Sequence, residues 1–182
     1  MHEPQRILAI ALVGLPGAGK TATAPLLAER LGGSCADLDA LIELSTAMPI
    51  RQLFATRGEA AFRELEVAVL ARVLTDGVRV VACGGGIVET ESARELLRQR
   101  CHTVWLEVDA TEALRRMSGM LADRPLLADA AHPARLEELL ARRAAGYAEV
   151  ARMRVRTDGL TSHEVAAKIA REIVSVTSGM TW

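Results

Sequence analysis

The run Gly14-Leu-Pro-Gly-Ala-Gly-Lys20-Thr21 constrains this chain more than any other part of it, fitting G-x-x-x-x-G-K-[ST] at every fixed position. An apolar stretch, RILAIALV (6–13), precedes it, and an Ala/Leu-rich stretch with helical spacing (20–31) follows. Strand, glycine loop and helix in that order begin a parallel βαβ unit. The glycines let backbone N–H groups turn inward onto phosphate oxygens, where side chains would obstruct them. The helix behind the loop adds the partial positive charge of its N-terminus. In that setting Lys20 reaches the β- and γ-phosphates of a nucleotide, and the Thr21 hydroxyl sits on Mg²⁺. The motif therefore predicts a nucleotide-phosphate site built from Gly17, Ala18, Gly19, Lys20, Thr21 and Ala22.

The remaining periodicity agrees with such a unit repeated. Short β-branched runs at 6–13, 33–39, 78–83, 101–108 and 153–157 read as strands. Helical spacing of apolar residues falls at 20–31, 38–46, 58–75, 90–100, 110–118, 133–149 and 161–176. Strand and helix alternating about five times predict an α/β fold with a parallel sheet covered on both faces. With 182 residues and no linker or repeat, one domain is expected, its core at 6–176. The segment 118–133 carries Gly119, Pro125 and Pro133 with weak periodicity and reads as a lid.

Charge and cysteine usage narrow the class. A net charge of -1 excludes the basic excess of a generic nucleic-acid or anionic-membrane binder. No stretch approaches the roughly 18 apolar residues that span a bilayer, and the run Ile7–Val13 ends in a glycine turn rather than a cleavage site. A cytoplasmic protein is expected, with nothing that calls for a partner subunit, hence a monomer. Cys35, Cys83 and Cys101 lack CxxC spacing and sit beside apolar runs, so buried, reduced thiols are expected. The chain contains no Asn, so it lacks the Asn-Lys-x-Asp pattern by which GTPases read guanine. The strand at 78–83 runs into Gly84-Gly85-Gly86 without a terminal acid, so acidic help for a metal must come from elsewhere.

Three further groups of residues offer chemistry. Asp37 and Asp39 end the second strand, and an i, i+2 pair on a strand faces one side of the sheet. One carboxylate near Mg²⁺ and one facing an acceptor hydroxyl is one reading; Asp39 as the N-cap of the helix from Ala40 is the other. Arg63 and Glu66 lie three apart on a helical face. They form either an exposed ion pair, worth about 0.3–0.5 kcal/mol, or an oriented fork for a ligand carboxylate, with Arg143 supplying a second. Gly84 to Gly86 make either a strand-ending turn or a place where a ligand approaches backbone amides closely.

With these pieces in order, the chain resembles shikimate kinases from about Ile7 to Ala151. The matching segments are GLPGAGKT, DLDALIE (37–43), LFATRGEAAFRELE (53–66), CGGGIV (83–88), DRPLL (123–127) and RRAAGY (142–147). The resemblance implies a P-loop, nucleoside-monophosphate-kinase-like three-layer fold, with a five-stranded parallel sheet in the order 2-3-1-4-5. It also implies a substrate-binding helical region at about 38–66 and a lid. The implied reaction moves the γ-phosphoryl of MgATP to the 3-hydroxyl of shikimate, in aromatic amino acid biosynthesis. By resemblance, Thr21 and Asp37 serve Mg²⁺, and Asp39 binds the ring hydroxyls beside the one phosphorylated. Arg63 and Arg143 clamp the shikimate carboxylate, and Gly84, Gly85 and Gly86 line the same pocket. Phe54, Phe62, Pro125 and Leu126 form its apolar walls. Lys20, Asp39 and the lid residue Arg124 are then the catalytic set, Arg124 also meeting ATP, and Arg116 stacks on adenine. The loop Asp158–His163 departs from the family in lacking a basic residue and a proline around the adenine.

Overall fold

The computed structural model describes residues 8–118 and 133–178. In chain order it contains β1 (Ala9–Val13), α1 (Lys20–Arg30), β2 (Cys35–Asp37), α2 (Leu38–Thr46) and α3 (Ile50–Thr75). There follow β3 (Val80–Ala82), a 3-10 turn (Ile87–Glu89), α4 (Glu91–Arg100), β4 (Cys101–Glu107) and α5 (Ala110–Ser118). Last come α6 (Pro133–Val150), β5 (Met153–Arg156) and α7 (Ser162–Ser178).

The five strands form one sheet in the order β2-β3-β1-β4-β5, and every pairing is parallel. β1 lies in the middle, with Ile10 opposite Val80 on one side and His102 on the other. Its alternate residues feed two separate cores. Ile10 and Leu12 pack with Leu27 of α1, Ala113 of α5, and Val165 and Ile169 of α7. Ala11 and Val13 pack with Leu70 of α3, Leu97 of α4 and Tyr147 of α6. Both faces of β1 are thus dry, which explains an uninterrupted apolar run where a half-exposed strand would alternate. Each fully buried Leu or Ile in these layers contributes about 1.5–3 kcal/mol.

A third, smaller cluster fixes the expected substrate-binding region. Ile42 of α2 and Leu53 and Phe62 of α3 pack with Met48, Ile50 and Phe54. Here α3 begins earlier than its periodicity suggested. Helical structure starts at Ile50, and the chain bends at Gly58 (φ 78°, ψ 173°) before continuing to Thr75. The bend rotates the apolar stripe, so no single helical period runs through the whole segment. Two of the three cysteines are buried as expected; Cys35 is exposed, because β2 is the sheet's edge.

Candidate active site

The site lies beyond the C-terminal ends of the strands, where open parallel sheets bind ligands. The glycine loop leaves β1 and closes on α1 through Gly19, whose φ of 92° makes it the left-handed residue before the helix. Gly17 has φ 80°, and a Cβ there would stand 2.5 Å from the Ala113 carbonyl oxygen of α5. Backbone strain and backbone contact both require glycine at that position. Ala18 is buried within the loop, and Ala22 lies on the first turn of α1.

Lys20 folds its ammonium beneath this loop, donating to the carbonyls of Gly14 (2.8 Å) and Leu15 (2.9 Å). Burial lowers its pKa from 10.5 to about 8, against the opposing pull of Asp39, Cys83 and Asp37. The cation is therefore under-neutralised, which suits it to receive phosphate oxygens. Burial pushes the neighbouring Cys83 thiol well above its ordinary value, which disfavours its thiolate.

Thr21 donates its hydroxyl hydrogen to Asp37 Oδ2 at 2.7 Å, which brings the two expected metal residues together. Asp37, not Asp39, caps α2: its Oδ1 accepts from the Ala40 amide at 3.2 Å. The shared strand face expected for the aspartates does not exist, because β2 ends at Asp37 and Asp39 already sits in the first helical turn. Both carboxylates still belong to the site, one through the cap and one through the helix. A hydroxyl and one carboxylate beside a phosphate cradle are hard oxygen donors of the kind Mg²⁺ takes when water and phosphate complete its shell. The donor chemistry therefore fits the expected metal.

The acceptor side is built around the glycine triplet, and side chains occupy the space its missing Cβ atoms leave. A Cβ on Gly84 would meet Glu66 Oε1 at 2.5 Å and Asp39 Oδ1 at 2.9 Å. On Gly86 it would enter the Arg63 guanidinium, and on Gly85 it would reach Pro16 at 3.1 Å and Arg143 at 3.5 Å. The triplet is thus the floor on which Asp39, Arg63, Arg143 and the phosphate loop meet. Phe54 and Phe62 of α3 have ring centroids 4.6 Å apart, and the Arg63 guanidinium that fills the space over Gly86 lies 5.4 Å from the Phe62 ring.

Arg63 and Glu66 do not form the exposed pair that was one reading of their spacing. Glu66 is 1% exposed and accepts from Arg63 at 2.5 Å. Burial raises the Glu66 pKa in spite of that cation. Three polar atoms of this cluster are buried without a partner: Nε of Arg63, Nε of Arg143 and Oε1 of Glu66. Orphaned donors on two converging guanidinium groups mark a place built for an anionic ligand.

Glu89 and Tyr147 are contributors that local spacing does not announce, and Arg116 is an expected one. Glu89, three residues past the triplet, accepts from Arg63 (2.7 Å) and Arg143 (3.1 Å) and pairs with Arg142 (2.7 Å). Tyr147 donates its hydroxyl hydrogen to the Gly85 carbonyl, tying α6 to the floor. Arg116 reaches from α5 to the loop after β5, donating to Thr157 Oγ1 (3.1 Å) and to the Thr157 carbonyl (2.6 Å). That places it 4.0 Å from a Cβ built on Gly19, beside the phosphate loop. These contacts join residues up to 62 positions apart, and no local pattern announces them. The expected lid at 118–133, with Arg124, Pro125 and Leu126, lies outside the described residues except at its two ends. Among the described residues no helix is long and apolar enough to cross a membrane.

Residues 16–174 match the family model described as shikimate kinase. The shikimate kinase of Corynebacterium diphtheriae is 44% identical over 161 residues, which cover 88% of this chain and 91% of that protein. The shikimate kinase of Symbiobacterium thermophilum is 39% identical over 165 residues, covering 90% and 95% respectively. Among solved structures, the shikimate kinase from Acinetobacter baumannii in complex with shikimate superposes with a TM-score of 0.86 at 36% identity. That superposition covers 93% of this chain and 94% of the other.

Proposed function

The chain belongs to the shikimate kinase family, and on that premise we propose how its residues divide the work. The reaction is transfer of the γ-phosphoryl group of ATP to the 3-hydroxyl of shikimate, giving shikimate 3-phosphate and ADP, in aromatic amino acid biosynthesis. The observation that carries the acceptor assignment is the meeting of Arg63, Arg143 and Asp39 on the glycine triplet, against Pro16 of the phosphate loop. A planar carboxylate suits the two guanidinium forks, and a ring hydroxyl suits Asp39, on the side facing the donor phosphates.

Phosphoryl transfer passes through a loose transition state, so alignment and charge neutralisation outweigh early deprotonation of the acceptor. The loop amides and the α1 N-terminus hold the phosphates. Lys20 exchanges the carbonyls of Gly14 and Leu15 for β- and γ-phosphate oxygens. Asp39 orients the 3-hydroxyl and takes its proton late. Arg116 faces the adenine end, and Arg124 meets the transferring phosphate. Phe54, Phe62, Pro125 and Leu126 exclude water around the ring. Thr21 and Asp37 would hold Mg²⁺, which when bound neutralises charge on the β- and γ-oxygens.

ADP release over a panel of shikimate, quinate and gluconate tests this reading. Release that depends on shikimate is expected. Release driven by gluconate alone, or by no acceptor, would overturn it.

A further inference from the structure

Glu89 engages both arginines that are expected to clamp the acceptor carboxylate. Its Oε2 takes Arg63 Nη2 at 2.7 Å and Arg143 Nη2 at 3.1 Å, while its Oε1 takes Arg142 Nη2 at 2.7 Å. Both terminal nitrogens of Arg63 are taken, since Nη1 holds Glu66 and Nη2 also contacts Glu59 at 3.1 Å, and only the buried Nε is left over. The ion pairs of the clamp balance without a ligand: Arg63, Arg142 and Arg143 face Glu59, Glu66 and Glu89, while Asp39, beside Glu66 on Gly84, is offset by Lys20. A fourth carboxylate would leave one negative charge in excess, whereas replacing one of the three preserves the balance. Glu66, 1% exposed, has no route to solvent. Glu89 sits at the rim on the short turn after the triplet, its side chain 20% exposed, and Arg142 beside it is 56% exposed.

We propose that Glu89 is a specificity-determining residue that holds the arginine clamp in place of the substrate carboxylate, so that acceptor binding exchanges one carboxylate for another. Glu89 then swings outward while keeping Arg142. The consequence is selectivity: only an acceptor carrying its own carboxylate compensates the arginines for losing Glu89. This rests on the reading that the clamp receives the carboxylate of shikimate.

Two variants test it, Glu89→Gln and Glu89→Asp, with steady-state kinetics and calorimetric binding of shikimate. Both should lower the shikimate KM and Kd, by about tenfold for Glu89→Gln, on the scale of one charge-assisted hydrogen bond no longer contested. The fall should be confined to KM rather than kcat, with the ATP KM as internal reference. Glu89→Asp keeps the charge but is one methylene too short to span Arg63 and Arg142, so it separates occupancy from a mere electrostatic field. The methyl ester of shikimate should gain nothing from either variant. A KM that rises or stays unchanged in both variants makes Glu89 an organiser of the arginines and overturns the exchange. A Glu89→Asp variant indistinguishable from wild type overturns it equally. Absence of shikimate-dependent ADP release in the wild type would instead overturn the functional reading, a result the variants do not mimic.

Discussion

Gly17 and Gly19 share a left-handed backbone, φ 80° and 92°, yet their surroundings differ, and that contrast yields a quantitative prediction. An alanine at either position carries the left-handed penalty of about 1–2 kcal/mol. At Gly19 the added Cβ finds only Thr23 Oγ1 at 3.8 Å and Arg116 at 4.0 Å, so little is added. At Gly17 it falls 2.5 Å from the Ala113 carbonyl oxygen and 2.9 Å from the Ala113 Cα. Backbone cannot rotate away, and overpacking of this kind costs about 1–3 kcal/mol more. For a domain of this size each kcal/mol shifts Tm by about 2–4 °C. Thermal melts should therefore place Gly17→Ala roughly 2–12 °C below Gly19→Ala. The functional order should be reversed per unit of lost stability, because the Gly19 Cβ stands beside the cradle and Arg116, whereas Gly17→Ala mainly displaces α5. Calorimetric ATP binding measured well below both melting points checks this. Equal Tm values would refute the docking of the phosphate loop on Ala113, and with it the account of how α5 carries Arg116 to the nucleotide.

Further expectations follow from the same contacts. Because the Lys20 pKa falls from 10.5 to about 8 on folding, the charged form is disfavoured in the native state. Its penalty is present in full below about pH 8 and is relieved as pH rises toward 10.5. Urea unfolding of wild type and Lys20→Met should shift in favour of wild type by about 2 kcal/mol between pH 7 and 9.5, and a pH-independent difference would refute the shift; Lys20→Met should also lose turnover. Arg63→Ala should raise the shikimate KM by about 10- to 100-fold with a smaller effect on kcat. It should also destabilise the fold by about 3–5 kcal/mol, because it strands the buried Glu66. Arg63→Ala with Glu66→Ala should recover part of that loss, and strictly additive ΔΔG values in denaturant melts would contradict the pairing. Arg116→Ala removes both contacts to Thr157 and should raise the ATP KM about tenfold while leaving the shikimate KM in place; an unchanged ATP KM would remove Arg116 from the base end.

What could be read from the chain depended on how far apart the cooperating residues lie. The three central strands, β1, β3 and β4, are legible as apolar runs because both their faces are covered, whereas the edge strands β2 and β5 are short and partly exposed, and the resemblance supplies the order. The helical period does not reach the first turns of α3, because the Gly58 bend breaks it there. Ala-Asp-Leu-Asp continues the alternation of β2 and so predicts a shared strand face for the aspartates. The competing effect was capping: once Asp37 accepts from the Ala40 amide, the helix begins at Leu38 and the alternation ends. The i, i+3 spacing announces Glu66 as a partner of Arg63 but not its burial, which depends on Gly84 giving up its side-chain space to the carboxylate.

The two halves of the site differ in this respect for a physical reason. The donor half is made of backbone, so a fixed spacing of glycines, one lysine and one hydroxyl specifies it within eight consecutive residues. The acceptor half is made of charged side chains that balance one another across α3, the turn after β3, and α6. Glu89 meets Arg63 from 26 positions away and Arg143 from 54, separations at which only the folded sheet sets the geometry. Because that balance rests on side chains rather than on the chain path, a single rim residue can reset acceptor affinity without touching the fold. A change of comparable size in the donor half would have to move backbone held between β1 and α5, and would register first as lost stability.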